Sequence, residues 1–128
     1  MMTNTTALLI VEDEILIQQT LEDTLTDAGF SVMIASNGTD AMTQLGDDAQ
    51  GFRAIITDIR LGDGPNGWDV AQRARELVYD MPIVYMSGDS GHEWTSKGVP
   101  NSVMIGKPFA PAQVVTAVAT LLNEADSH

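Results

Sequence analysis

Five side chains, far apart along the chain, carry groups that would handle a phosphoryl group on a metal ion if the fold gathered them: Glu12, Asp13, Asp58, Ser87 and Lys107. Three carboxylates and one ammonium leave a charge of about −2 on a small patch, and two carboxylates some 5 Å apart repel by roughly 3 kcal/mol at an effective dielectric near 20. A divalent cation would bring that sum close to zero. A site made of oxygen donors, without His or Cys, favours a hard ion, most simply Mg²⁺, which keeps waters and shares a phosphate oxygen. Lys107 and Ser87 would hold the remaining oxygens, which is the equipment that phosphoryl transfer requires, and Asp58 is the natural acceptor.

Any one of these residues is ordinary as a polar strand cap. Together they matter because each falls at or just beyond the end of an expected strand. Residues 7–11 form a purely apolar run, and short runs recur at 31–34, 54–57, 83–86 and 103–105. Such lengths and flanks predict buried strands. Between them the apolar residues take helical spacing: Ile17, Leu21, Leu25 and Ala28 before Gly29; Ala41, Met42 and Leu45; Val70, Ala71, Ala74, Leu77 and Val78; and Val114, Val115, Val118, Leu121 and Leu122 after Pro111. The methionines at 33, 42, 81 and 86 are expected to face inward. Alternating strands and helices with short connections predict a five-stranded, doubly wound parallel sheet of the flavodoxin-like kind. Ligands of such sheets bind beyond the carboxyl ends of the strands, where strand order reverses.

The chain has 128 residues with 44% hydrophobic, which suits one domain over 1–128 with a core of about 6–123 and a tail at 124–128. The absence of cysteine excludes disulfides, thiolate zinc sites and thiol nucleophiles. A net charge of −12 would repel phosphate backbones, and Arg53, Arg60, Arg73, Arg75, Lys97 and Lys107 are scattered, so no nucleic-acid partner is expected. Apolar runs are too short for a membrane span and no signal peptide is read at the N-terminus, so a cytoplasmic location is expected.

The motifs Glu12-Asp13 in ALLIVEDE, Asp58 in IITDIRL, Ser87-Gly88 in IVYMSG and Lys107-Pro108-Phe109 resemble those of the receiver domain of two-component response regulators, the CheY-like family. Order and spacing agree, with 45, 29 and 20 residues separating Asp13, Asp58, Ser87 and Lys107. The resemblance implies a stand-alone receiver that signals by protein contacts and is not an enzyme beyond its own phosphorylation and dephosphorylation. Asp58 would accept phosphate from a histidine kinase or histidine phosphotransferase. Asp13, Asp58 and the backbone carbonyl of Arg60 would bind Mg²⁺ directly, with Glu12 acting through water. Lys107 would pair with the phosphoryl group, Ser87 would be the switch hydroxyl, and the bond before Pro108 would be cis. An unknown downstream protein would read the switch. The chain is expected to be a monomer or weak homodimer, with Val114, Val118 and Leu122 either a partner face or buried in the chain's own sheet.

The chain departs from the family pattern at two places. Met104 stands where most receivers have an aromatic residue three positions before the lysine, and core filling is the favoured reading. Gly88, Gly91, Gly98 and Pro100 predict a fourth helix that is weak or absent, with residues 89–101 mobile and ordered by phosphorylation or a partner. His92 reads as surface, Trp94 as an anchor for that segment, and Trp68 as packing at the start of the third helix. Two alternatives compete: a haloacid-dehalogenase-like phosphatase, disfavoured because Arg60 stands where its motif needs a second Asp, and a phosphorylation-independent pseudo-receiver.

Overall fold

The computed structural model describes residues 7–89 and 91–126. Five strands form one parallel sheet in the order β2-β1-β3-β4-β5: β1 Ala7–Val11, β2 Val32–Ala35, β3 Phe52–Asp58, β4 Ile83–Ser87 and β5 Val103–Gly106. The helices are α1 Ile15–Asp27, α2 Gly38–Asp48, α3 Gly67–Leu77, α4 Trp94–Lys97 and α5 Pro111–Asp126. The expected architecture is present, and the fourth helix is indeed weak: a single turn after a 3-10 turn at Gly91–Glu93. Helix α5 runs to Asp126, three residues into the expected tail at 124–128. Residues 127–128, and residue 6 at the expected start of the core, lie outside the described residues.

Alternation along the strands divides the core between the two faces. Leu8, Ile10, Ala54, Ile56, Val84 and Met86 meet Leu21 and Leu25 of α1 and Val114, Val118, Leu121 and Leu122 of α5. Leu9, Val11, Ile55, Ile83 and Tyr85 meet Ala41 and Leu45 of α2 and Trp68, Val70, Ala71 and Ala74 of α3. The Val114, Val118 and Leu122 stripe is therefore buried against the chain's own sheet and is not a free partner face. Met104 packs against the second cluster, as core filling predicts, and so does Trp68, whose ring lies 4.8 Å from that of Tyr85.

Three expectations about burial are corrected. Met33 is 49% exposed, because β2 is an edge strand whose outer face is only partly covered. Ala28 is exposed at the C-cap of α1, and Ile17 is only half-buried. The third buried position of α1 is instead Gln18, three residues before Leu21 and seven before Leu25.

Helix ends aim the connecting loops. Gly29, at φ 98°, closes α1: its N–H donates to Thr26 O, and Phe30 N–H donates to Leu25 O, with Phe30 packed over the same cluster as Leu25. Asn37 caps α2 through Asp40 N–H at 2.7 Å, and Asn66 and Asp69 form a reciprocal capping box at α3. Segment 91–102 is tied at its far end. Trp94 Nε1 donates to Ser102 Oγ at 2.9 Å, Val99 N–H to the Tyr85 hydroxyl at 3.1 Å, and Arg75 of α3 to Met81 O and Pro100 O.

Candidate phosphoacceptor and metal site

The chain leaves β1 for β2 on one side and later returns to place β3 on the other, so strand order reverses between the carboxyl ends of β1 and β3. Glu12 and Asp13 follow β1 and Asp58 ends β3. One carboxylate oxygen from each of the three lies within 4.8 Å of the others. Glu12 is wholly buried and Asp58 is 7% exposed, whereas Asp13 faces solvent.

Lys107 reaches in from the turn after β5. Its ammonium lies 2.9 Å from Glu12 Oε1 and 3.2 Å from Asp58 Oδ2. The second oxygen of Glu12 accepts from Glu14 N–H at 3.1 Å, and Asp58 Oδ1 accepts from Ile59 N–H at 2.9 Å. The turn is fixed by a cis Lys107–Pro108 bond and by Lys107 N–H donating to Ser87 O at 2.8 Å, which joins it to the end of β4. Ser87 is 5% exposed, and its hydroxyl accepts from Asp89 N–H at 3.2 Å. The start of α3 is pressed against the acceptor: Gly67 N–H donates to Ile59 O, and a Cβ at Gly67 would collide with the Asp58 carbonyl oxygen.

Burial raises the Glu12 carboxyl above its ordinary 4.5; Lys107 and the Glu14 N–H only partly offset this, and Asp58 adds to the rise. Burial likewise raises Asp58 above 3.8, with Lys107 opposing and Asp13 assisting. At Lys107 burial acts downward, but the hydrogen bond to Glu12 and the charges of both carboxylates prevail, and the ammonium is held above 10.5. The lysine is thus firmly charged between two carboxylates that burial makes reluctant to ionise.

The donor set fits magnesium. Bonds of about 2.1 Å allow two direct ligands to stand at most about 4.2 Å apart, so a set reaching 4.8 Å would hold an ion with at least one contact through water or a small inward shift. Glu12 and Asp58 each have both carboxylate oxygens engaged, by Glu14 N–H and Lys107 and by Ile59 N–H and Lys107 respectively.

The fold therefore brings Glu12, Asp13, Asp58 and Lys107 together, with Ser87 on the neighbouring strand. Arg60 lies in the loop after β3, and its guanidinium turns outward to Asp89 at 2.9 Å. That loop turns through Gly62 and Gly64, both at positive φ. Sequence reasoning missed Gln18, Gly67 and Asp89. Of these, Gln18 was detectable, as a polar residue in step with Leu21 and Leu25.

A parallel sheet in this order with an acidic cluster and a lysine at its switch point defines the receiver class of signalling domain. The family model for the response regulator receiver domain matches residues 8–119, and the chain belongs to that family. A response regulator receiver protein from Sinorhizobium medicae is 45% identical, with a TM-score of 0.89 covering 93% of this chain and 95% of that one. The chemotaxis protein CheY4 of Vibrio cholerae is 25% identical at a TM-score of 0.79, covering 91% and 98%. The transcriptional regulatory protein CusR of Escherichia coli is 38% identical over 120 residues, 91% of this chain and 51% of CusR. The chain spans about half the length of the curated relatives it matches. Membership disfavours the phosphatase alternative, and Arg60, engaged with Asp89, does not supply that mechanism's second carboxylate. Among the described residues no helix is long and apolar enough to cross a membrane.

Proposed function

We propose that the protein is a cytoplasmic phospho-switch that accepts a phosphoryl group on Asp58 from a histidine kinase or histidine phosphotransferase and signals by protein contacts. The observation that carries this reading is the convergence of Asp58 with Glu12, Asp13 and Lys107 at the sheet's switch point. An Asp58 carboxylate oxygen forms a bond to phosphorus, the P–N bond to the donor imidazole breaks, and the imidazole recovers a proton. Asp13, Asp58 and the Arg60 carbonyl would hold Mg²⁺, with Glu12 through water. When bound, the ion neutralises charge on the phosphoryl oxygens. Lys107 pairs with one phosphoryl oxygen and orients it. Ser87, whose oxygen accepts from Asp89 N–H, donates its hydroxyl proton to another oxygen. Each charge-assisted bond gained contributes roughly 1.5–3 kcal/mol to the conformer that makes it, enough to change which conformer dominates.

Ile15 and Leu16, 66% and 77% exposed directly after Glu14, offer the phosphodonor an apolar landing beside the acceptor. A groove between α1 and the β5–α5 turn, lined by Ile17, Thr20, Pro108 and Phe109, adjoins them. The test is incubation with Mg²⁺ and a small phosphodonor such as acetyl phosphate, followed by intact mass. Wild type gains one phosphoryl group and Asp58→Ala gains none. An unmodified wild type, or equal modification of both, refutes the reading.

A further inference from the structure

Asp13 is the exposed member of the carboxylate cluster, so what aims it is the backbone that carries it. That backbone is gripped by a side chain that neither the motifs nor the mechanism uses. Gln18 is 9% exposed, and its Nε2 donates to the backbone carbonyl of Glu12 at 2.6 Å and to Ser36 Oγ at 3.1 Å. A glutamine amide has two N–H donors, and both are spent here on positions that meet at the carboxyl ends of β1 and β2.

The Glu12 carbonyl belongs to the peptide plane that ends at the Asp13 nitrogen and Cα. Because the peptide is rigid, holding the oxygen fixes the direction in which Asp13 leaves the strand. The other bonds of the loop do not substitute for this grip. Glu12 N–H is committed to Ala35 O and the Glu12 carboxylate to Lys107 and Glu14 N–H, while Glu14, at the N-cap of α1, makes no side-chain capping bond. We propose that Gln18 is a positioning residue for the metal site: through the Glu12 carbonyl it holds the Asp13 carboxylate in register with Asp58, with Ser36 as the strut that holds the amide itself. This inference rests on the magnesium reading above. It explains a polar amide on the buried face of α1, at the position that would otherwise hold an apolar residue beside Leu21 and Leu25.

The test is Mg²⁺ binding by calorimetry on the unphosphorylated protein, with thermal unfolding in chelator alongside. Gln18→Leu keeps the bulk and removes the donors, and its Mg²⁺ affinity should fall about tenfold or more, the usual cost of losing a group that orients a ligand. Ser36→Ala, a change at an exposed residue that leaves folding intact, should lose affinity by a smaller factor. Leu25→Ala should lower the melting temperature and leave affinity unchanged, which separates positioning from general stability. With a phosphodonor, Gln18→Leu should need more Mg²⁺ for half-maximal phosphorylation yet reach the wild-type rate at saturation. If Gln18→Leu does not fold, Ser36→Ala decides. Affinity within about twofold of wild type in Gln18→Leu, or in Ser36→Ala where that variant decides, overturns the inference and leaves the magnesium reading standing. An equal loss in Leu25→Ala also overturns it. A wild type that binds no Mg²⁺ overturns both.

Discussion

Replacing the acceptor Asp58 by asparagine should stabilise the metal-free protein. At an effective dielectric near 20, the Lys107 ammonium 3.2 Å away attracts the Asp58 carboxylate by about 5 kcal/mol. The buried Glu12 carboxylate, within 4.8 Å, opposes this with about 3.5 kcal/mol or more. Exposed Asp13 adds only about 1 kcal/mol, because its interaction is screened almost as in bulk water. These Coulomb contributions nearly cancel, so the cost of taking a carboxylate out of water decides the sign, in keeping with the upward displacement of the Asp58 titration. Asparagine avoids most of that cost and still offers an oxygen to Ile59 N–H. The expected gain is on the order of 1 kcal/mol, a rise in melting temperature of about 3–6 °C for a domain of this size. Thermal unfolding in chelator and in saturating Mg²⁺ measures it. Wild type should gain stability from the ion by mass action, and Asp58→Asn, with one charged ligand fewer, should gain less. A variant that melts below wild type in chelator, or that gains as much from Mg²⁺, would show that the cluster is not strained by its own charge.

The same charges set a pH dependence. Asp58 and Glu12 titrate higher in the folded state than their ordinary 3.8 and 4.5, so the folded protein holds those protons more tightly. In chelator, stability should therefore fall as pH rises from that range through the folded-state values, and Asp58→Asn should flatten the slope. Gly67→Ala should cost about 1–3 kcal/mol by overpacking and slow phosphate incorporation, because its Cβ meets the Asp58 carbonyl; a wild-type urea midpoint would refute this. Tyr85→Phe should cost about 1–3 kcal/mol by leaving the buried Val99 N–H without its acceptor, and the Val99 amide should exchange faster. A fluoroberyllate phosphate mimic should change hydrogen-exchange protection across 91–102, and equal protection with and without it would count against a phosphorylation-sensitive segment.

Most of the fold and the main site residues were legible because they rest on short-range signals. Apolar runs such as 7–11 and 83–86 allow only buried strands, and β–α alternation then dictates a parallel sheet whose carboxyl ends collect Glu12, Asp13, Asp58 and Lys107. What was not legible depends on tertiary neighbours. Met33 is as apolar as Met86, and only its place on the edge strand exposes it. Phe52 and Arg53 extend β3 beyond the apolar run because pairing with β1, not side-chain type, sets where the strand begins. Gln18 is visible as a polar break in step with Leu21 and Leu25, but its role is not, because its partner, the Glu12 carbonyl, is a backbone group that no residue type reveals.

The arrangement of Lys107 and Ser87 indicates where phosphorylation has freedom to act. Lys107 is already paired with both buried carboxylates, and its N–H already holds the Ser87 carbonyl, so the β4 and β5 ends are locked together before any phosphoryl group arrives. The new group can therefore draw little movement from the lysine. The Ser87 hydroxyl differs: its oxygen accepts from Asp89 N–H, and a charge-assisted bond donated by its proton to a phosphoryl oxygen would exceed a neutral one by about 1 kcal/mol or more. Asp89, two residues on, is joined to that oxygen through its N–H, and its carboxylate is paired with Arg60, an exposed pair worth little on its own. Any turn of the hydroxyl is therefore felt first in the connection between β4 and α4. Beyond it, the single turn of α4 buries no residue, and the segment is held mainly from its far end by Tyr85, Arg75 and Ser102. A displacement begun at Ser87 accordingly meets the Trp94–Ser102 bond before it reaches Val99, so residues 88, 89 and 91–93 are the first that it would move.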